Sequence, residues 1–287
     1  MSEADQAALL AVAVEAAREA GGLLAERARH GAERRIASKS TPTDLVSEAD
    51  LASERAIREL LARRRPEDGF VGEEGENVEG TSGLSWIVDP LDGTVNFLFA
   101  IPQWCVSVAV RDGDGTLAGA IYDPAREELF TATREGPAVL SSPGAGTVEL
   151  AGPHAGGPGG VRGPGEAGGP GGPGGHELAT AMVATGFAYD ADVRGAQGEA
   201  IARLLPLVRD IRRFGSAALD LAWTAAGRYD AYFERTVKQW DIAAGALICE
   251  RAGLRVLELP ARERLPWGIL VAPEGLAGGL FEVVEGG

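Results

Sequence analysis

Cysteine, histidine and positive charge are all scarce in this chain of 287 residues. Its two cysteines, Cys105 and Cys249, lie far apart inside apolar runs (WCVSVAV and ALICERAG), so neither a disulfide framework nor a zinc-ligand spacing can be assembled from them. Of three histidines, His30 closes an alanine-rich stretch, while His154 and His176 fall in a Gly/Pro tract. A Ser-His-Asp triad, a Cys-His pair and a His-rich zinc site are therefore disfavoured, and the chemistry is expected to run without histidine. Lysine plus arginine number 27 against 42 aspartates and glutamates, a net charge of −15. With no basic stripe to neutralise backbone phosphates, no nucleic-acid partner is expected, whereas divalent cations suit such a chain. Long apolar runs are also missing, although 45% of residues are hydrophobic, enough to build a core. No membrane association is expected. The opening, MSEADQAALLAVAVEAAREA, carries Glu3 and Asp5 where a secretory leader is basic, and the expected location is the cytoplasm.

Residues 5–30 repeat apolar positions at helical spacing, and a second helix is predicted from about Asp44 to Arg64, closed by Pro66. Short β-like runs follow at 70–73, 84–88, 105–110, 117–122 and 128–133, with DGDG at 112–115 as a hairpin turn. Between 151 and 176, 13 glycines and 5 prolines fill 18 of 26 positions, a composition that cannot pack a core and reads as a flexible surface excursion. Strand and helix then alternate: strands at 181–184, 210–213, 230–234, 254–257 and 269–271, helices at 199–208 and from Ser216 and Trp240. Interleaving of this kind indicates layered α/β architecture. The division expected is 1–145, a Gly/Pro loop at 146–176, and 177–287.

The densest chemistry lies in WIVDPLDGTVNF, Trp86 to Phe97. An apolar strand ends in Asp89, Pro90 turns the chain, and Asp92 follows. Carboxylates so spaced can converge on one side of a turn, where hard oxygen ligands suit Mg²⁺. Gly93 permits close approach of a ligand, and the amides of Gly93 and Thr94 would bind phosphate if a helix starts there. Upstream, VGEEGE places Glu73 and Glu74 after a short strand; downstream, Asp241 opens an apolar helix after Lys238-Gln239-Trp240. Each acid alone has an ordinary explanation as a turn former, a solvated charge or a helix cap. Their conjunction in one chain is what calls for a common role.

Together these segments resemble the inositol monophosphatase family of magnesium-dependent, lithium-sensitive sugar phosphatases. The first family signature is matched by residues 86–97, the second by Trp240-Asp241-Ile242-Ala243-Ala244-Gly245 with Glu250-Arg251-Ala252-Gly253. Gly72-Glu73-Glu74 and Asp44-Leu45-Val46-Ser47-Glu48-Ala49-Asp50 fall at the expected places in order. The resemblance, which spares only about 140–178, implies an α+β first part and a smaller α/β second part, in α-β-α-β-α layers, and a homodimer. It further implies that Glu73, Asp89 and the Leu91 carbonyl hold one Mg²⁺, that Asp89, Asp92 and Asp241 hold a second, and that a third leans on Glu73. Thr94 and Asp50 would orient or deprotonate the attacking water, although a helix cap and an exposed polar residue remain their ordinary readings. Lys39 falls where the family has a lysine in a mobile loop; a solvated loop lysine is the alternative.

The implied activity is hydrolysis of a small-molecule phosphate monoester on a polyol or sugar, with inositol monophosphate leading. Fructose 1,6-bisphosphate, histidinol phosphate, 3′-phosphoadenosine 5′-phosphate and NADP are rivals of the same fold; a non-catalytic metal- or phosphate-binding protein is the rival of another class. Gly215, Ser216 and Ala217, at a strand-to-helix turn, would meet substrate hydroxyls, or form a plain serine-capped turn. Glu234 would accept from the polyol, and Asp92 would also face it. Lys238 stands where some animal enzymes of the family carry histidine. The literal G-x-G-x-x-G at 163–168 lacks a preceding strand and is no dinucleotide fingerprint.

Overall fold

The computed structural model describes residues 1–30, 36–38, 45–144, 146–153 and 177–286, with backbone alone at 36–38 and 45–46. Lys39 and positions 154–176 of the Gly/Pro tract lie outside the described residues. Two long helices open the chain, α1 (Glu3–His30) and α2 (Glu48–Arg64). Acids in the first turn of α1 and Arg27, Arg29 and His30 in its last complement the helix dipole. Between the two helices, strands β1 (Ile36–Ser38) and β2 (Leu45–Ser47) pair antiparallel. The second helix thus starts at Glu48 and not at Asp44, with Ser47 as its cap: the Ser47 hydroxyl accepts from the Ala49 amide at 3.1 Å.

Seven strands then form the first sheet: β3 (Gly69–Gly72), β4 (Ser85–Asp92), β5 (Cys105–Asp112), β6 (Gly115–Asp123), β7 (Glu128–Thr133), β8 (Val139–Ser142) and β9 (Gly146–Glu149), neighbours in that order. β3 and β4 run parallel and the rest antiparallel. A five-residue helix, α3 (Thr94–Leu98), follows β4. The last two strands of the sheet are short and were not legible, and they carry it past 145 to Glu149.

The second part holds α4 (Ala191–Leu204), α5 (Ala217–Ala225), α6 (Gln239–Arg251) and α7 (Glu274–Glu285). Its sheet orders β11-β10-β12-β14-β13, where β10 is Met182–Thr185, β11 Asp210–Arg212, β12 Ala231–Arg235, β13 Arg255–Leu259 and β14 Gly268–Ala272. α4 starts well before the expected 199 because Asp190 caps it, accepting from the amides of Asp192 and Val193. α7 was not anticipated, since Pro273 precedes it and Gly278 and Gly279 interrupt its apolar pattern.

Three buried clusters separate five layers. Leu9, Leu24, Ile57, Trp86, Val88 and Val108 join α1 and α2 to one face of the first sheet. On its other face Ile87, Ile121 and Phe130 meet Leu219, Leu221 and Ile248 of α5 and α6, which in turn pack against Tyr232 and Val271 of the second sheet. Val183, Phe233 and Leu270 face Leu204, Leu276 and Leu280 of α4 and α7 on the outside. No helix among the described residues is long and apolar enough to cross a membrane.

Candidate active site

The alternation along β4 decides where its acids go. Trp86 and Val88 point to α1 and α2, Ile87 to the α5/α6 layer, so Asp89 shares the face on which α6 brings Asp241. Pro90 has no amide to give the ladder, and the β4/β5 register slips between Asp89 and Asp92. Asp89 is 2% exposed, and its Oδ1 accepts the Leu91 amide at 3.0 Å. Gly93 turns the chain into α3 at φ +97°, with its backbone so near Gln103 that a Cβ would lie 2.8 Å from that carbonyl.

Thr94 and Asp50, 44 positions apart, meet. The Thr94 hydroxyl donates to Asp50 Oδ1 at 2.7 Å and lies 3.1 Å from the Leu91 carbonyl. Asp50 is fully buried, not on the exposed side of α2, and its other oxygen accepts from the Ser47 amide (2.8 Å) and hydroxyl (2.6 Å). Thr94 is likewise not the helix cap, a position taken by Gly93.

Asp92, 8% exposed, reaches the start of α5. Its Oδ2 accepts the Ser216 hydroxyl and the Ala218 amide, each at 2.7 Å, and its Oδ1 the Ala217 amide at 3.2 Å. The Ser216 hydroxyl and the Ala217 amide, expected to meet substrate hydroxyls, are directed at Asp92 in the structure. Gly215 precedes them at φ +80°. Half-buried Asp241 accepts the Lys238 amide at 2.6 Å in the first turn of α6, and Ser107 of β5 reaches the Trp240 carbonyl at 3.4 Å, tying that helix start to the first sheet. Glu73 follows β3, half-buried.

These acids act on one another. Burial first, then Glu73, Asp92 and Asp241, push the Asp89 carboxyl well above the carboxylate range. Burial and Asp92 do the same to Asp241, against the Lys238 amide. Asp92 is raised by burial while the Ser216 hydroxyl and two amides hold it down. Glu234, at the far end, is pushed up to about 7, chiefly by burial, with the Tyr232 hydroxyl (2.9 Å) and Arg213 opposing. Among the described residues no three acids, histidines or cysteines close to metal-ligating distance, so Glu73, Asp89, Asp92 and Asp241 converge without forming a coordination sphere. The donor chemistry nevertheless fits Mg²⁺: carboxylates and the Leu91 carbonyl are hard oxygens, and buried like charges call for a cation.

Several supporting residues were missed. Glu54, buried on α2, accepts the Glu74 amide (2.9 Å) and Arg58 (2.8 Å), fixing the turn that bears Glu73. Ser53 donates to the Pro90 carbonyl at 2.7 Å. Asp50, Ser53, Glu54 and Ile57 follow helical spacing, so a polar stripe on a buried helix face was the available signal. Asn96 lay inside the quoted motif without a role. Asp220 of α5 is fully buried, its carboxyl raised well above the carboxylate range chiefly by burial, with the Tyr229 hydroxyl opposing.

Known proteins show the same arrangement of chain. The inositol-1-monophosphatase SuhB of Mycobacterium tuberculosis is 39% identical over 256 residues, covering 87% of this chain and 81% of that protein. The Nus factor SuhB of Pasteurella multocida is 37% identical over 247 residues, covering 85% and 83%. The crystal structure of the extragenic suppressor protein SuhB from Bartonella henselae superposes with a TM-score of 0.80 at 33% identity, over 98% of this chain and 99% of that one. Residues 5–283 match the inositol monophosphatase family as a whole, and the chain is a member of that family.

Proposed function

We propose that this protein is an Mg²⁺-dependent phosphate monoester hydrolase of the cytoplasm acting on a small polyol or sugar phosphate, inositol monophosphate before others. The observation that carries the reading is the Thr94 hydroxyl, bonded to buried Asp50 and beside the Leu91 carbonyl at the rim of four acids. In this reading Glu73, Asp89 and the Leu91 carbonyl hold one ion, Asp89, Asp92 and Asp241 a second, and Glu73 supports a third. Bound Mg²⁺ supplies an anion site in an acidic cleft, a more acidic water and a stabilised leaving oxygen.

The chain's own groups do the rest. Because Thr94 donates its proton to Asp50 Oδ1, its lone pairs are left to accept a hydrogen from the attacking water, which fixes that water's orientation. Ser47 holds Asp50 in the acceptor role. The amides of Gly93 and Thr94 donate to phosphate oxygens, and Glu234 accepts from the polyol hydroxyls. A homodimer is part of the proposal, supported by Phe99, Ile101 and Phe214, large apolar side chains left exposed on two segments that Asn96 joins.

The test is phosphate release from inositol 1-phosphate, fructose 1,6-bisphosphate, histidinol phosphate, 3′-phosphoadenosine 5′-phosphate and NADP, with and without Mg²⁺. Magnesium-dependent turnover of one substrate far above the others supports the reading. Silence across the panel in folded, Mg²⁺-binding protein would favour a non-catalytic binding role.

A further inference from the structure

Asn96 sits in α3 two residues past Thr94, 7% exposed. Its Nδ2 lies 2.7 Å from the Phe214 carbonyl, 2.8 Å from the Gln103 carbonyl and 3.3 Å from the Gly215 carbonyl. An amide nitrogen has two hydrogens to give, so the two shorter contacts take them and Gly215 shares. One side chain thus spans three pieces of backbone: the segment that carries Asp92 and Thr94, the loop 99–104, and a turn 118 positions further along the chain.

That turn is the one whose next residues hold Asp92. Ser216, Ala217 and Ala218 supply three hydrogen bonds to the Asp92 carboxylate. Phe214 packs its ring against Trp223 (centroids 6.0 Å) and Tyr229 (6.1 Å), but Gly215 beside it sits at φ +80°, where glycine's wide conformational freedom would let the direction of the backbone turn drift. Tethered carbonyls at 214 and 215 remove that freedom.

We infer that Asn96 is a positioning residue for Asp92: by holding the Phe214–Gly215 carbonyls it sets the α5 donors, and through them the carboxylate's presentation to cation. The inference rests on the reading of Asp92 as an Mg²⁺ ligand. It also makes the loop 99–104, with exposed Phe99 and Ile101, a direct mechanical neighbour of the metal site, since the Gln103 carbonyl hangs on the same nitrogen.

The test is direct Mg²⁺ binding by calorimetry to substrate-free protein, comparing wild type with Asn96→Asp, which keeps the size and removes both hydrogens, and with Asn96→Ser should the first not fold. Mg²⁺ affinity about tenfold weaker, with far-UV circular dichroism unchanged, is expected. Half-saturating Mg²⁺ for phosphate release should move by the same factor, with kcat largely recovered at saturating Mg²⁺. Ser216→Ala, which removes a donor from Asp92 itself, should weaken Mg²⁺ too, and the Asn96→Asp/Ser216→Ala double variant should lose less than the product of the two single effects, because both act on one carboxylate. Unchanged Mg²⁺ affinity in a folded Asn96 variant, or a multiplicative double variant, overturns the inference while leaving the metal reading intact. Wild-type protein that binds no Mg²⁺ overturns the metal reading and the inference with it.

Discussion

Asp92 and the pair Asp89 with Asp241 occupy the same cleft in opposite circumstances. Asp92 accepts a hydroxyl and two amides from the start of α5, while Asp89 and Asp241 each accept a single neighbouring amide. At Asp92 hydrogen bonds to the ionised form offset part of the burial that still raises its pKa, whereas at the other two burial and like charges push the carboxyl well above the usual range. In the proposed reading, the fold orients one carboxylate by itself and leaves the other two to a cation. A helix start can aim a carboxylate, whereas a strand end that gathers acids creates a demand for positive charge.

The sharpest way to break this contrast is Asp89→Asn. Removing the acid assigned to both principal ions should abolish Mg²⁺-dependent phosphate release, while relief of buried repulsion raises the melting temperature of the cation-free protein. Calorimetry and a phosphate assay on the same sample check both signs, and a variant that keeps turnover would contradict the ligand assignment.

Next in size is the pH response. Asp89, Asp241 and Glu234 have folded pKa values above their unfolded ones, so their contribution favours the folded state at acid pH and is lost as pH rises through the folded values. For Glu234 that window runs from the ordinary 4.5 to about 7. Cation-free protein should lose stability across it, Glu234→Gln should flatten that part of the curve, and Mg²⁺ affinity should strengthen as pH rises because binding expels protons from Asp89 and Asp241. Melting curves over a pH series, with and without Mg²⁺, read all three.

Ser216→Ala tests the oriented side of the contrast. It deletes one bond to Asp92 and should cost about 1 kcal/mol of stability, measured by denaturant unfolding. The smallest effect on metal, with a clear one on substrate, is expected for Gly186→Ala: a Cβ there would lie 2.0 Å from Glu234 Oε2, forcing that carboxylate aside. KM should rise while Mg²⁺ affinity stays near wild type.

Sequence patterning was most informative where chemistry and local structure coincide in one segment. Asp89, Asp92, Gly93 and Thr94 lie within six positions, and their strand and helix start could be read from the apolar run and Gly93, although Pro90 does not end β4, which continues to Asp92 with a register slip. The Asp50–Thr94 bond was within reach only through family resemblance, because helical spacing does not say what a buried acid of α2 meets 44 positions away. Ser216 and Ala217 were placed at the right turn, but their bonds to Asp92 were not foreseen, since sequence shows a donor and not its acceptor. Glu54 and Asn96 act across long stretches of chain through backbone amides and carbonyls, which leave no residue-type signal at the far end. Of the fold, α7 and the strands β1, β2, β8 and β9 escaped because glycine and brevity blurred their periods.

The most direct test of the account is phosphate release from inositol 1-phosphate by wild type and Asp241→Asn, each with and without Mg²⁺. Turnover in wild type only when Mg²⁺ is present, and none in the folded variant, is the predicted result. Turnover that persists in Asp241→Asn, or that is indifferent to Mg²⁺ in wild type, would contradict the claim that these acids work by holding the metal.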